Sequence, residues 1–526
     1  MCATIEVRPH PSKRRALHAI QSFLPGQIIH VFSNPLILHP TLLHLDSFCT
    51  HCLRPNNPRA CSRCHAAYYC DATCQQAAWT AVHSKECKAL RSKKSAAELP
   101  TPVRALLQAL LKKEIEEGLE GLEGHVESKR RGKGGADLEM MAMAACAFAG
   151  KAKEEHMKRA MELLCKIETN AFHRYDADLA DQVGIFLEPT LAMANHSCIP
   201  NAMVLFMGRK AVLRAETAIQ AGDEIEISYT DYTGPFMGRQ QALSSYSFIC
   251  RCPRCIENLN VYQVCSQSRD IHLNKNWSVI GSNASKLQQH PGATDPKKIQ
   301  LAMEFCSEAD PDMTGLSPEA RGVLKVFLDG YKPLTENDLW AVTPLPQILT
   351  EVSLYYTHKQ NYTYAVVVSA FVAVECDPYR HVAPFQVVRL KNLLMVVKLM
   401  VLTAENSAAL RQSLRGMASK AGLDAKIHET LADIDQVSLS QMLLIMVLKL
   451  GPEGHMDEWE LGETAKELHD DILELEGRER EMSLINAWRE DPESDTSRNF
   501  FEYAVVQQMS ALASLGRAVL KMDWEV

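Results

Sequence analysis

The chain has 526 residues, and its 56 Lys and Arg residues against 64 Asp and Glu residues give a formal net charge of −8. Hydrophobic residues make up 46 % of the chain and charged residues 23 %, which is typical of a globular protein and excludes disordered and fibrous classes. The acidic balance also argues against a DNA-binding protein, because non-specific binding to nucleic acid needs a basic surface.

The N-terminal stretch and the most apolar segment both argue against export and membrane insertion. Residues 1–13 lack the apolar run of a signal peptide. The most apolar segment, residues 390–402, contains Lys391 and Lys398 and is shorter than the roughly 20 residues that span a bilayer. We therefore expect a nuclear or cytoplasmic protein without disulfides.

Seven of the 17 cysteines fall between residues 49 and 87, where an even distribution would place roughly one. With one histidine they form four closely spaced pairs: Cys49 and Cys52, Cys61 and Cys64, Cys70 and Cys74, and His83 and Cys87. Zinc takes four sulfur or nitrogen ligands, so four pairs complete two closed structural sites. The spacing leaves open whether the pairs are used in sequence or interleaved.

This array, with the segments Tyr68-Tyr69-Cys70 and Gln75-Gln76-Ala77-Ala78-Trp79, resembles the MYND zinc finger. The resemblance implies that the pairs interleave, with Cys49, Cys52, Cys70 and Cys74 on one ion and Cys61, Cys64, His83 and Cys87 on the other. It also implies a surface for protein contacts, some of them with proline-rich partners.

After the finger, the sequence predicts helices interrupted by a loop. Residues 102–111 and 139–169 have helical periodicity. Residues 112–136 are rich in Gly, Glu and Lys, which predicts a flexible excursion between these helices.

A second dense motif, Asn195-His196-Ser197-Cys198, lies close to predicted short strands. Residues 212–215 are predicted as one strand, and the period-2 pattern of residues 222–229 predicts another, with Ile225 and Ile227 on one face. No Gly-rich dinucleotide motif follows a strand. The sequence therefore predicts a small β-rich core and no Rossmann unit.

The Asn195 motif, the Gly222–Tyr229 motif and the cysteine-rich segment ending at Cys255 resemble the SET domain of protein lysine methyltransferases. Together with the finger, they resemble the SET and MYND domain (SMYD-type) subfamily. The resemblance implies transfer of methyl from S-adenosylmethionine to a lysine amine of a histone or other protein, by a monomer. It also implies a third zinc ion, held by Cys198, Cys250, Cys252 and Cys255.

The resemblance further implies the residues that do the chemistry. Tyr229 is the catalytic tyrosine, and Tyr246 lines the channel for the substrate lysine. The implied cofactor-binding residues are Lys13, Arg14, Arg15, Asn170, Asn195, His196, Tyr229 and Phe248.

One departure from the family pattern concerns the cofactor loop. The family has K-G-x-G-L where this chain has Lys13-Arg14-Arg15-Ala16-Leu17, so Arg14 and Ala16 replace two glycines. If either position requires a positive φ, the substitution costs roughly 1 kcal/mol or more. We expect either a weaker affinity for the cofactor or a slightly different loop.

From residue 261 onward, amphipathic periodicity predicts a helical domain with a TPR-like arrangement. Residues 346–374 are predicted as two helices joined near residues 359–362. Further helices are predicted over residues 385–403, 439–450, 459–476 and 500–522.

The whole sequence thus predicts an α+β multidomain protein with a split SET core. The predicted parts are an N-terminal SET part (1–48), the finger (49–87), a mostly helical insert (88–190), the SET core (191–245), the post-SET segment (246–260) and the helical domain (261–526). The alternative function is an interaction scaffold or transcriptional regulator with a weak or inactive SET core, which Arg14 and Ala16 favour.

Overall fold

The computed structural model describes residues 3–91, 98–273, 275–304, 306, 321–403 and 407–522. The chain divides into two compact units. The first unit comprises Met1–Thr230 and Met237–Arg251, and the second comprises Asp231–Phe236 and Cys252–Val526. Among the described residues, all strands lie in the first unit and the second is helical, which confirms the predicted α+β multidomain organisation with a helical C-terminal region.

The strands of the first unit are short and pair into small sheets. They are β1 (Ile5–His10), β2 (Arg14–Ala19), β3 (Ile28–Phe32), β4 (Ile37–Pro40), β5 (Arg59–Ala60), β6 (Tyr68–Tyr69), β7 (Phe172–Tyr175), β8 (Gln182–Leu187), β9 (Asn195–His196), β10 (Ala202–Met207), β11 (Lys210–Ala215) and β12 (Glu226–Ile227). The sheets have the strand orders β1-β2, β10-β11-β3, β4-β8-β7, β5-β6 and β12-β9. The β12-β9 pair is parallel and the other pairs are antiparallel.

A hydrophobic cluster, which we call the sheet core, packs these strands together. Leu17, Ile29 and Leu213 are nearly fully buried in it. Ile225 and Ile227 are buried in the same cluster, on one face as the period-2 pattern predicts. The predicted strand over residues 222–229 is nevertheless limited to β12. The Asn201 side chain bonds the neighbouring backbone, accepting from Glu226 N (2.8 Å) and donating to the Glu224 carbonyl (2.8 Å).

The finger and the insert are mainly helical. The helices that begin before residue 251 are α1 (Ala72–Ala78), α2 (Ser84–Leu90), α3 (Thr101–Leu111), α4 (Lys113–Gly118), α5 (Val126–Arg131), α6 (Gly135–Ala149), α7 (Glu154–Asn170) and α8 (Phe236–Leu243). The predicted helix over residues 139–169 is two helices, α6 and α7. They separate at Gly150, whose φ of +68° favours glycine and ends α6.

Residues 112–136, predicted as a flexible loop, contain the helices α4 and α5. The prediction from composition is wrong here because apolar residues punctuate the charged stretch. Ile115, Leu119 and Leu122 are buried at 6 %, 0 % and 4 % exposure and anchor the segment to the insert helices.

The finger and the insert share a second hydrophobic cluster, which we call the finger–insert core. It contains Cys61 and Cys87 from the finger together with Leu90, Leu106 and Leu163 from α2, α3 and α7. The finger is therefore packed as part of the first unit's larger core.

The second unit is built from helices. They are α9 (Pro253–Ile256), α10 (Val261–Gln267), α11 (Ser285–Gln288), α12 (Pro291–Thr294), α13 (Pro296–Glu304), α14 (Arg321–Gly330), α15 (Lys332–Glu336), α16 (Leu345–His358), α17 (Tyr362–Phe371), α18 (Asp377–Arg380), α19 (Val387–Val401), α20 (Ser407–Lys420), α21 (Ala425–Ala432), α22 (Gln436–Leu450), α23 (Glu460–Leu473), α24 (Glu479–Glu490), α25 (Asp495–Phe501) and α26 (Gln508–Lys521). The helix pair α16–α17 and the helices α19, α22, α23 and α26 lie where the sequence predicts them. Their apolar faces supply many of the buried residues described in this unit.

Within the described residues, none of the helices taken alone combines the length and hydropathy needed to cross a membrane. The bent pair α21–α22, with 88° between its members, meets those requirements jointly, by length and composition only.

Candidate functional site

The eight predicted ligand residues of the finger form two groups. In the first, Cys49, Cys52, Cys70 and Cys74 have all four sulfurs within 4.8 Å of one another. In the second, Cys61, Cys64, His83 and Cys87 are equally close. The pairs therefore interleave, as the resemblance implies. Each group offers four sulfur or nitrogen ligands, the number that structural zinc takes.

Local structure aims these side chains at each other. The Asp71 carboxylate accepts from Cys74 N (2.8 Å) and thereby caps the start of α1, next to Cys70. Cys52 and Cys70 have their sulfurs 3.6 Å apart. In the second group, the His83 Nε2 atom lies 3.7 Å from the Cys64 sulfur.

A third group contains the four cysteines assigned to the post-SET zinc site. The sulfurs of Cys198, Cys250, Cys252 and Cys255 lie within 4.8 Å of one another, with Cys198 and Cys250 3.9 Å apart. Four converging thiols fit a closed structural zinc site, as in the finger.

The parallel pair β9–β12 positions the Asn195 motif beside Tyr229. Asn195 and His196 pair with Glu226 and Ile227, and Ser197 N donates to the Ile227 carbonyl (2.9 Å). Tyr229 N donates to His196 Nδ1 (3.0 Å). Because Nδ1 accepts this bond, the neutral imidazole carries its proton on Nε2, which lies 3.2 Å from the Cys198 sulfur.

Four aromatic rings, that of Tyr229 included, form a cluster. The ring of Tyr229 lies 4.8 Å from that of Tyr246 and 5.4 Å from that of His196, and the Phe248 ring lies 6.0 Å from His196. The Tyr229 hydroxyl donates to the Ala194 carbonyl (2.6 Å). Burial raises the pKa of Tyr229 and of Tyr246, so both hydroxyls keep their protons at neutral pH.

A polar group of residues lies beside this aromatic cluster in the same unit. Asn195 Nδ2 donates to the Arg15 carbonyl (2.9 Å) and to the Glu224 carboxylate (2.8 Å). Lys13 Nζ donates to Glu224 (2.9 Å) and Glu226 (2.9 Å). Burial lowers the pKa of Lys13, but the hydrogen bonds to Glu226 and Glu224 outweigh it, and the net pKa is raised.

Sequence reasoning missed both glutamates. In the sequence, Glu224 and Glu226 belong to the strand pattern of residues 222–229, and each lies one residue from the buried Ile225. The signal that could have identified them is the pair of acidic residues beside a strand that leads to Tyr229. A half-buried carboxylate needs a cationic or amide partner, so such a pair indicates a polar site.

The two remaining predicted cofactor residues, Asn170 and Arg14, both contact Glu123. Asn170 Nδ2 donates to the carbonyls of Glu123 and Lys166, both at 2.7 Å. The Arg14 guanidinium forms an ion pair with the Glu123 carboxylate. Asn170 and Arg14 are thus tied to the loop before α5, a segment that composition alone predicts to be flexible.

Arg14 has a φ of +65°, whereas Ala16 lies in regular strand β2 opposite Arg8. Arg14, at the first glycine position of the SET pattern, therefore has a left-handed backbone. Ala16, at the second glycine position, has an ordinary strand backbone. The conditional expectation of backbone strain holds at Arg14 alone.

Residues 49–87 match the family model described as MYND finger. Similar proteins include Histone-lysine N-methyltransferase ASHR1 of Arabidopsis thaliana, 31 % identical over 265 residues (47 % of this chain, 53 % of that protein). SET domain and MYND-type zinc finger protein 6 of Schizosaccharomyces pombe is 32 % identical over 223 residues (41 % and 45 %). Histone-lysine N-methyltransferase SMYD3 of Mus musculus is 30 % identical over 266 residues (46 % and 59 %).

The chain spans about half the length of the relatives it matches. Among solved structures, that of the SET domain of LSMT bound to lysine and AdoHcy aligns with 95 % of this chain and 91 % of that chain. The sequence identity is 12 % and the TM-score is 0.23.

Proposed function

We propose that this chain, a SET and MYND domain protein, transfers a methyl group from S-adenosylmethionine to a lysine side-chain amine of a protein substrate. The observation that carries the proposal is the aromatic cluster of His196, Tyr229, Tyr246 and Phe248 beside the Asn195 polar group. The names of the similar proteins support the same reaction class.

The reaction needs a neutral amine held in line with the group it attacks. S-adenosylmethionine would supply a methyl group activated by a sulfonium. A free lysine has a pKa of about 10.4, and desolvated aromatic surroundings favour its uncharged form. Because the Tyr229 hydroxyl donates to the Ala194 carbonyl, its oxygen lone pairs remain oriented to accept an N–H from the amine. That contact would fix the direction of the nitrogen lone pair.

The polar group fits the amino-acid end of the cofactor by its chemistry. Its carboxylate and carbonyl oxygens, on Glu224 and Arg15, can accept from an ammonium group, and Lys13 can pair with a carboxylate. We assign cofactor binding to this group with Asn195 and His196, and assign supporting roles to Asn170, Arg14 and Phe248.

We propose zinc for the three cysteine-rich groups, with a structural role in each. The protein substrate would be a histone or another nuclear or cytoplasmic protein. The finger would add a surface for protein contacts, proline-rich segments included.

Arg14 supports a second candidate function, an interaction scaffold that binds the cofactor weakly or not at all. Its left-handed backbone carries a large side chain where the family has glycine, which disfavours a close backbone approach to a ligand.

Two measurements on the zinc-loaded full chain separate these functions. Calorimetric titration with S-adenosylhomocysteine is expected to give a saturable binding heat. Labelled S-adenosylmethionine is expected to transfer its methyl to lysine in a protein array. A chain that gives no binding heat and no labelled product is a scaffold, and the methyl-transfer proposal then fails.

A further inference from the structure

A buried polar network connects the finger to helix α3 of the insert. His83, Glu86 and Arg104 have side chains only 1 % exposed. The Glu86 carboxylate lies between the other two, with Oε2 2.9 Å from His83 Nδ1 and Oε1 3.0 Å from an Arg104 amino group. Gln108, one turn after Arg104 on α3, also donates to Oε1 (3.0 Å).

The geometry at His83 assigns a role to each ring nitrogen. Nδ1 faces an acceptor-only carboxylate oxygen and therefore carries the proton. Nε2 is left with its lone pair, on the side where Cys64 lies 3.7 Å away. A histidine that binds zinc through one nitrogen and donates to a carboxylate through the other is held in orientation, and its basicity is raised.

The carboxylate in turn depends on α3. A buried charge is costly unless it is paired and fully hydrogen-bonded, and Arg104 supplies both the pairing charge and two donors to Oε1. Arg104 also donates to the Ala66 carbonyl, between the ligands Cys64 and Cys70 of the finger. The guanidinium thus holds the finger through a side chain and through the backbone.

We propose that Glu86 and Arg104 are positioning residues for the metal ion of the Cys61, Cys64, His83 and Cys87 group, and that this site's affinity for zinc is set in part from helix α3. The Cys49, Cys52, Cys70 and Cys74 group consists of sulfur ligands only and has no imidazole to orient. The effect is therefore confined to one of the two sites in the finger.

The test measures zinc affinity of the full chain by competition with a chromophoric chelator. Glu86→Gln keeps the side-chain shape but offers one carbonyl oxygen where two acceptors serve His83 and α3. We expect this substitution to lower the affinity for one of the three zinc ions by about 10- to 100-fold, the usual effect of losing a carboxylate that supports a metal ligand. Arg104→Lys keeps the charge but loses the forked contact to Glu86, and it should lower the affinity for the same ion.

Cobalt substitution identifies the affected site, because a three-sulfur, one-nitrogen site and a four-sulfur site have different visible spectra. Selective loss of the nitrogen-containing component in both variants supports the proposal. The matched control is Glu116→Gln, which removes a carboxylate partner of Arg159 elsewhere in the insert and should leave all three ions unchanged.

Three results would overturn the proposal. One is wild-type zinc affinity in Glu86→Gln. Another is a lower zinc affinity in Glu86→Gln but wild-type affinity in Arg104→Lys, which would show that α3 does not influence the site. The last is an equal weakening of all three ions, which would indicate general destabilisation.

Discussion

Tyr229 is fixed at both ends by hydrogen bonds that leave its oxygen lone pairs available. Its backbone N donates to His196 Nδ1 and its hydroxyl donates to the Ala194 carbonyl. The hydroxyl therefore has one preferred direction, which is what the proposed contact to a lysine amine requires.

Replacing Tyr229 by Phe should reduce methyl transfer roughly 100-fold or more, comparable to the loss of one positioned hydrogen bond in a reaction site. Cofactor affinity should stay near wild type, since the polar group around Asn195 is untouched. Single-turnover rates and calorimetric affinities measure the two effects separately.

Tyr232→Phe is a matched control for that experiment. The Tyr232 hydroxyl bonds His381 Nδ1 (2.9 Å) within the second unit. Equal turnover by Tyr229→Phe and wild-type protein would remove Tyr229 from the mechanism.

The strained backbone at Arg14 can be isolated by comparing two substitutions. Both Arg14→Ala and Arg14→Gly lose the exposed ion pair with Glu123, worth about 0–1 kcal/mol. Only glycine relieves the cost of a φ of +65°, so Arg14→Gly should be about 1 kcal/mol more stable to unfolding than Arg14→Ala. Denaturant midpoints of the two variants test this difference, and equal midpoints would mean that the conformation is not strained.

For single residues, the sequence predicts the metal ligands but not the residues that hydrogen-bond to the buried carboxylates. The spacing of Cys61, Cys64 and His83 indicates a metal site, since few other functions need that pattern. Glu86 and Glu224 act through residues that lie far away in sequence, and only the fold brings Arg104 and Lys13 to them.

Among the elements, the clearest difference from expectation lies in α4 and α5. A helix is predicted from the summed pattern of a segment, and the pattern of residues 112–136 is dominated by Gly, Glu and Lys. The structure depends on Ile115, Leu119 and Leu122, which are buried in the finger–insert core. Their spacing of four and three residues is a local signal of one apolar helix face, and the overall composition of the segment hides it.

Helix α18 and the segment around Tyr232 give the second unit an acid-sensitive contact. His381 follows α18 directly and is 6 % exposed. Burial, assisted by Arg380 and Arg389 and opposed by Asp231, lowers the pKa of His381 to about 3. The imidazole is thus neutral in the folded state at any pH above about 3.

A histidine whose pKa is lower in the folded state contributes its full stability above the unfolded value of about 6.5 and loses it as the pH falls towards 3. We expect the free energy of unfolding of the second unit to decrease by up to about 1.4 kcal/mol per pH unit in that interval. Denaturant unfolding from neutral pH down to about pH 4.5, followed by a probe in the second unit, measures the slope.

His381→Asn keeps an acceptor for the Tyr232 hydroxyl but cannot take up a proton in this range. Its slope should be shallower than that of the wild type. The same slope in both proteins would show that other groups carry the acid sensitivity.

At the scale of the whole molecule, the first unit has two separate hydrophobic clusters, and we expect zinc loss from the finger to affect only one of them. The finger–insert core buries Cys61 and Leu90 together with Leu106 of α3, while Leu17 and Leu213 belong to the separate sheet core.

Cys61→Ser should therefore release one ion and increase backbone hydrogen exchange in both the finger and the insert helices α3 and α7. The strands β2 and β11 should keep their protection, since they pack in the sheet core. Site-resolved exchange detected by mass spectrometry distinguishes the regions.

A change restricted to residues 49–87 would show that the finger folds separately from the insert. A loss of protection in β2 and β11 as well would show that the two clusters melt as one. Wild-type protein stripped of zinc by a chelator serves as the reference for complete metal loss.

The buried contact between Glu86 and Arg104 bears on how a finger of this kind can be studied in pieces. A peptide cut at residues 49 and 87 would leave the carboxylate of Glu86 facing water and the imidazole of His83 without its steadied partner. Zinc-binding constants measured on such a peptide would describe a less ordered site than the one in the intact chain. The shortest fragment worth purifying extends through residue 111, so that the whole of α3 travels with it.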